Sequence, residues 1–139
     1  MATRLNPYLN FNGNARAAVT FYHSVFGGEF TTMTYAEGGM QHDPADADKI
    51  MHSQLISPSG YWLMLSDTPP HFGYNPGNTM SVSLSGDAEA ELTGYWNKLS
   101  DGATISMPLS KAPWGDSFGM LVDKFGVSWL VNIAGPGRS

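Results

Sequence analysis

The chain carries four histidines and no cysteine, and these two facts bound the chemistry open to it. Without thiols there is no disulfide, thiolate zinc site, iron–sulfur cluster or cysteine nucleophile, so acid–base work falls to imidazoles and carboxylates. His23 sits in a helical pattern, His42 in an acidic stretch, His71 in a proline-rich segment and His52 inside a strand-like run. Alternate residues of a strand share a face, so Ile50, His52, Gln54 and Ile56 point one way and Met51, Ser53 and Leu55 the other. A titratable ring thus stands beside an amide. In a ligand site His52 is the candidate catalytic acid or base and Gln54 a ligand-binding contact; in a packing role His52 is a core-edge ring satisfied by a backbone carbonyl.

A second cluster, Lys111, Trp114, Asp116 and Phe118, approaches and enters a later strand. Asp116 is the second catalytic candidate, orienting an imidazole or accepting from a ligand hydroxyl, with Trp114 and Phe118 as ligand-binding aromatics. The competing reading makes Trp114 a hydrophobic lid and Asp116 a solvated turn acid. Trp62 and Trp129 fall within hairpin strands, where packing is expected. His42 with Asp43, Asp46 and Asp48 lacks the glycine and terminal glutamate of a calcium loop and reads as a solvated acidic loop. No G-x-S-x-G elbow, P-loop or H-E-x-x-H motif is present.

The elements that must position these groups follow from composition and repetition. With 139 residues, 42% of them hydrophobic, the chain is expected to form one domain, residues 1–139, with a real core. A formal charge of −5, with basic residues scattered from Arg4 to Arg138, argues against nucleic acid and membrane surfaces as partners. No basic, apolar leader opens the chain and no apolar run approaches the about 18 residues of a membrane span, so a cytoplasmic location is expected. Eight methionines and four tryptophans suit an irregular core, and also the lining of an adaptable small-molecule cavity.

The stretch from Leu9 to Phe26 reads again from Val82 to Leu99 at an offset of 73, with Gly13, Ala15, Ala17, Thr20 and Tyr22 recurring as Gly86, Ala88, Ala90, Thr93 and Tyr95. Each copy starts with strand-like alternation and a turn, in which Asn14 and Asp87 are expected to cap a helix. Val19, Tyr22 and Phe26, and in the second copy Leu92, Tyr95 and Leu99, are spaced to share one helical face. Strand signals follow at Glu29–Ala36, Lys49–Ser57 and Gly60–Ser66, then at Ala103–Met107, Asp116–Val122 and Val127–Ile133, after an opening strand at Thr79–Leu84. The last hairpin repeats at an offset of 66, so the first module holds an insertion, read as a mobile loop over Gly38–Asp48. The expected fold class is α+β: two βαβββ modules, about 5–66 and 79–133, joined by a linker over about 67–78.

The segments NPYLNFNGNARAAVTFYHSVFGGEF, KIMHSQL and WGDSFGMLVDKFGVSWLVNI, in that order, resemble the PhnB-like branch of the vicinal oxygen chelate superfamily, the glyoxalase/bleomycin resistance/dioxygenase proteins. The resemblance implies a curved mixed sheet around a cavity, usually in a homodimer. Some relatives carry a demethylubiquinone methyltransferase label, but no Gly-rich S-adenosylmethionine site follows a first strand here, so that activity is not expected. In metal-dependent members the ligands are His, Gln or Glu on the first and last strands of each module. Carried across, the resemblance places those positions at Pro7, Met64, Met80 and Leu130. None suits a hard or borderline divalent ion, so no metal and no cofactor are expected, and Met64, Met80 and Leu130 become ligand-binding candidates.

Three functions follow. The first is a metal-free protein of the PhnB-like type that binds a small molecule; the second is a metal-independent enzyme with His52 as general acid or base and Asp116 orienting it. The third is the metal-dependent lyase, isomerase or dioxygenase chemistry of the superfamily. Whether the chain is an enzyme stays open, because a fold does not fix a function.

Overall fold

The structure, a computed structural model, describes residues 3–39, 42–69 and 73–135; His71 lies outside them. The chain divides into two compact units, Met1–Pro76 and Gly77–Ser139. No helix of the described residues is long and apolar enough to cross a membrane.

In the first unit β1 (Tyr8–Phe11), α1 (Ala15–Phe26), β2 (Glu29–Thr34), a one-turn helix α2 (Tyr35–Gly38), β3 (Ile50–Ile56) and β4 (Trp62–Asp67) follow in order. The strands form a sheet ordered β1-β4-β3-β2, with β1 parallel to β4 and the other pairs antiparallel. Helix α1 packs on β2, β3 and β4. It buries Val19, Tyr22 and Phe26, as the three-and-four spacing predicts, together with Ala15 and Ala18. Phe11, Ser53, Leu55, Leu63 and Leu65 are the sealed strand residues of the covered face. Of the opposite parity, Ile50 and Ser66 are buried, while Tyr8, His52, Gln54, Trp62 and Met64 are exposed or partly exposed.

The start of α1 corrects one expectation. Asn14 is the N-cap residue, but its side chain makes no capping hydrogen bond. Instead the Gly13 and Ala15 amides donate to Asp67 Oδ1 at 2.8 and 3.0 Å, and the Ile50 amide donates to Oδ2 at 2.9 Å. Asp67, expected to open the linker, therefore closes β4 at 2% exposure and joins the starts of a helix and a strand.

Met40 and Gln41 of the expected mobile loop lie outside the described residues, but the segments on either side of them are tied. Thr34 ends β2 two residues early because its side chain and that of Glu37 form a capping box around α2. The Thr34 amide's hydrogen bond holds the Glu37 carboxyl below its ordinary range. The Tyr35 and Ala36 amides donate to the carbonyls of Lys49 and Ala47, and the half-exposed Lys49 ammonium pairs with buried Asp46 at 2.8 Å. That hydrogen bond raises the Lys49 pKa. The acidic stretch is thus not wholly solvated.

The second unit contains β5 (Val82–Gly86), α3 (Glu89–Leu99), β6 (Thr104–Lys111), β7 (Ser117–Val122) and β8 (Ser128–Ile133), with sheet order β5-β8-β7-β6. Leu92, Tyr95 and Leu99 are buried as the repeat requires. Asp87 does not cap: Ala88 is the N-cap and no side chain bonds there. Strand β6 runs four residues beyond the expected Met107, with register breaks on either side of it. The hairpin repeat holds to the level of hydrogen bonds. Ser57 Oγ accepts from the Tyr61 amide, and Asp123 Oδ1, at the offset of 66, accepts from the Val127 amide. Gly119 has a packing reason: a Cβ there would lie 2.7 Å from the Trp96 indole and 2.9 Å from the Leu109 Cα.

Candidate functional site

Strand pairing places the first unit's candidates together on the uncovered face. Tyr8 stands opposite Met64, Met64 opposite Gln54, and Gln54 opposite Thr31. Met33 stands opposite His52, and Trp62 opposite Ile56. His52, Gln54, Met64 and Trp62 are each partly exposed, and Tyr8 and Met33 are 45% and 44% exposed. Tyr8 Oη lies 3.4 Å from His52 Nδ1, and the rings are tilted with centroids 5.9 Å apart. When the phenol donates to Nδ1, the imidazole proton sits on Nε2, which fixes the nitrogen able to exchange a proton with a ligand. The Arg4 guanidinium lies over the Trp62 ring, 3.8 Å from its centroid.

This face can stack a flat ligand, accept and donate hydrogen bonds, and offer soft apolar surface at two thioethers. His52 and Gln54 were legible from alternation alone. Tyr8 and Arg4 were missed, and Trp62 was assigned to packing. Tyr8 had a signal, since Leu9 and Phe11 on the core face put it on the other. Arg4 had none.

The other candidates lie in the second unit. Trp114, 54% exposed, approaches Phe118 with ring centroids 6.1 Å apart. Phe118 pairs with Asn132 and Met120 with Leu130, so Phe118 and Leu130 share the face turned away from buried Leu121, Trp129 and Val131. Trp129 packs, donating from its indole to Asp123. Asp116 is not a solvated turn acid: it is 4% exposed, and its two oxygens accept from the Gly135 amide at 2.9 Å and the Asn132 side chain at 3.1 Å. Its carboxylate pins the exit of β8 to the turn before β7.

The register also revises which first-strand residues face the last strands. In the first unit Tyr8, not Pro7, stands opposite Met64; Pro7 supplies its carbonyl to the Met64 amide at 3.1 Å. In the second, Ser83 stands opposite Leu130, while Met80 precedes β5 and is 80% exposed. The helices repeat at 73 but these strands at 75, because the turn from β5 into α3 is shorter. The positions so defined hold a phenol, a thioether, an alcohol and a leucine. They do not fit a divalent metal held by His, Gln or Glu. Among the described residues, no three His, Cys, Asp or Glu side chains gather to hold one.

The chain has relatives. The family model described as 3-demethylubiquinone-9 3-methyltransferase matches residues 3–132. The crystal structure of protein PA1353 from Pseudomonas aeruginosa is 40% identical, with a TM-score of 0.81 over 95% of this chain and 98% of that one. A PhnB protein from Bacillus cereus is 27% identical, with a TM-score of 0.73 over 95% of this chain and 100% of that one. Protein YjdN of Escherichia coli is 26% identical over 93% of this chain and 94% of its own length. At the level of fold alone, a glyoxalase/bleomycin resistance protein/dioxygenase family enzyme from Burkholderia phytofirmans aligns over 91% of this chain and 95% of its own, with a TM-score of 0.58 at 16% identity. The family-model match places the chain in the family described as 3-demethylubiquinone-9 3-methyltransferase, to which the PhnB protein of Bacillus cereus is also assigned by its description, and the α+β architecture of two four-stranded mixed sheets is the fold of the glyoxalase/bleomycin resistance proteins.

Proposed function

We propose that this chain is a metal-free small-molecule-binding protein whose ligand rests on the uncovered face of the β1-β4-β3-β2 sheet. The observation that carries the reading is the adjacency of Tyr8, Met64, Gln54, His52 and Met33 on neighbouring strands, all partly exposed. A sheet face serving only as core would be sealed; one serving only as surface would not gather two thioethers and an aromatic around an imidazole. Within the second unit taken by itself, Trp114, Phe118 and Leu130 are proposed as apolar ligand contacts of that unit's own sheet face. The working form is a homodimer in the cytoplasm, and a concentration-independent monomer mass in light scattering would overturn that part.

A thermal-shift screen of small molecules tests the reading, because a ligand that binds only the native state raises the melting temperature. The expected hit loses most of its shift in His52→Ala and in Met64→Glu, while the His52→Ala protein alone melts close to the parent. A hit whose shift is the same in all three proteins would remove this face from the site.

The Tyr8–His52 contact favours a second reading, a metal-independent enzyme in which His52 is the general acid or base. In that form Tyr8 orients the imidazole, and Asp116 keeps its structural bonds to Gly135 and Asn132. Turnover of a screening hit, lost in His52→Ala and reduced in Tyr8→Phe, would select it over simple binding.

A further inference from the structure

We propose that the uncovered face of the first sheet selects a flat, apolar ligand bearing a single anionic group, with Arg4 as the residue that reads the charge. The inference rests on the binding reading above and narrows it to a class, the aromatic carboxylates and their like.

The argument starts from the stacking of Arg4. A guanidinium lying 3.8 Å over the Trp62 ring is held against that ring instead of sweeping through solvent, with its N–H donors at the ring's edge of the sheet face. Planar, two-pronged donors suit carboxylate geometry, and a pre-set fork loses less entropy on binding. Met64 lies two residues along β4, about 7 Å away, with Tyr8 beside it on β1 and Gln54 beside it on β3. A fused bicyclic body spans that distance. The anion then meets Arg4 on its Trp62 seat, the ring rests on Met64 beside that stack, and its edges reach the phenol of Tyr8 and the amide of Gln54.

Charge fixes the orientation. In the row of Trp62 and Ile56 the next residue, on the outer strand β2, is exposed Glu29. It lies two strands, about 10 Å, from Trp62, and repels an anion from that side. A ligand with its carboxylate at the β2 edge meets the wrong sign, and one with its carboxylate at the β1 side meets Arg4. The protein's net charge of −5 gives no general attraction for anions, so a preference for them must come from a local cation.

Isothermal titration of the full chain with 2-naphthoate and with its neutral isostere 2-naphthamide tests this directly. The carboxylate is expected to bind about fivefold more tightly, the scale of an exposed ion pair, and the advantage is expected to shrink as salt rises. Arg4→Gln is expected to erase the preference while leaving naphthamide affinity unchanged. Equal binding of the two probes to the parent protein, or no binding of either at millimolar concentration, overturns the ligand class. Equal weakening of both probes in Arg4→Gln shows Arg4 to be packing on Trp62, and overturns its role. Met64→Glu, whose fold is checked by circular dichroism, separates this inference from the reading beneath it. Loss of both probes there supports the site, and a charge preference that survives unchanged there refutes the face itself.

Discussion

Asp67→Asn is the most informative single change in this chain, because it separates the residue that looks like a helix cap from the one that acts as it. The Asp67 carboxylate is 2% exposed and accepts three backbone amides: Gly13 and Ala15 on Oδ1 and Ile50 on Oδ2. An asparagine has one oxygen, so whichever way its amide turns, an N–H group faces an N–H group. With the oxygen toward Gly13 and Ala15, the Ile50 amide loses its acceptor in a buried setting. One lost charge-assisted bond is worth about 1.5–3 kcal/mol, and a buried donor left unpaired costs about 1–3 kcal/mol by the same reckoning. These overlap instead of adding, and give a destabilisation of about 2–3 kcal/mol. At a urea dependence of about 1–3 kcal/mol/M, the unfolding midpoint should fall by about 0.7–3 M. Asn14→Ala, which removes the apparent cap, should change the stability by less than about 0.5 kcal/mol, since that side chain makes no capping bond. Urea denaturation followed by circular dichroism reads both. A large loss in Asn14→Ala with little change in Asp67→Asn would refute the assignment of the cap.

Gly119→Ala should cost about 1–3 kcal/mol by overpacking, because its Cβ would press the Trp96 ring and the β6 backbone, and chemical denaturation measures it. Tyr35 is 4% exposed and donates to the Asp67 carbonyl at 2.7 Å. Burial, with help from the Asp67 charge, raises its pKa above the ordinary 10.0, so the folded protein holds that proton more tightly than the unfolded chain. Its contribution is therefore complete below pH 10.0 and lost as pH rises through the raised value; Tyr35→Phe should flatten the alkaline limb of a stability–pH curve, and an unchanged limb would show the shift to be irrelevant. Elemental analysis after dialysis without chelator should find far less than one equivalent of Zn, Mn, Fe or Ni per chain. A full equivalent that disappears in a Tyr8→Phe, Met64→Leu double variant would overturn the metal-free reading.

The helices and hairpins were legible because their signals are local. Val19, Tyr22 and Phe26 declare a buried helical stripe by spacing alone, and Leu92, Tyr95 and Leu99 declare its copy. The turn at Pro58–Gly60 fixes a hairpin whose hydrogen bonds recur near Asp123. The two helix caps were not legible, since the residue that satisfies the start of α1 comes from Asp67 on a distant strand. Nothing in a sequence window around Asn14 contains that partner. Asp116 failed the same way: it reads as a turn acid until Gly135 and Asn132 arrive from the far end of β8. In each case a carboxylate was misplaced because its partners are distant in sequence, and all but the Asn132 side chain are backbone amides, which carry no residue-specific signal.

The facing of the candidate site shows how small an error a sequence repeat must make to matter. Side chains alternate along a strand, so an assignment one residue off changes the face, and one two residues off preserves it. The helical offset of 73 was extended into the opening strands, where the ladders show 75; that error is even and by itself harmless to facing. The odd error lay in choosing Pro7, whose neighbour Tyr8 is the residue opposite Met64, and it concealed a phenol in hydrogen-bonding reach of His52. Replacing Pro7 and Met80 by Tyr8 and Ser83 changes the chemistry from two positions without useful donors to two hydroxyls. Neutral hydroxyls are poor ligands for Zn, Mn or Ni but good partners for a carbonyl, carboxylate or amide. On the first sheet, taken by itself, the corrected register puts a phenol where the sequence had put a proline, and makes that face more suited to holding an organic ligand than the sequence had implied.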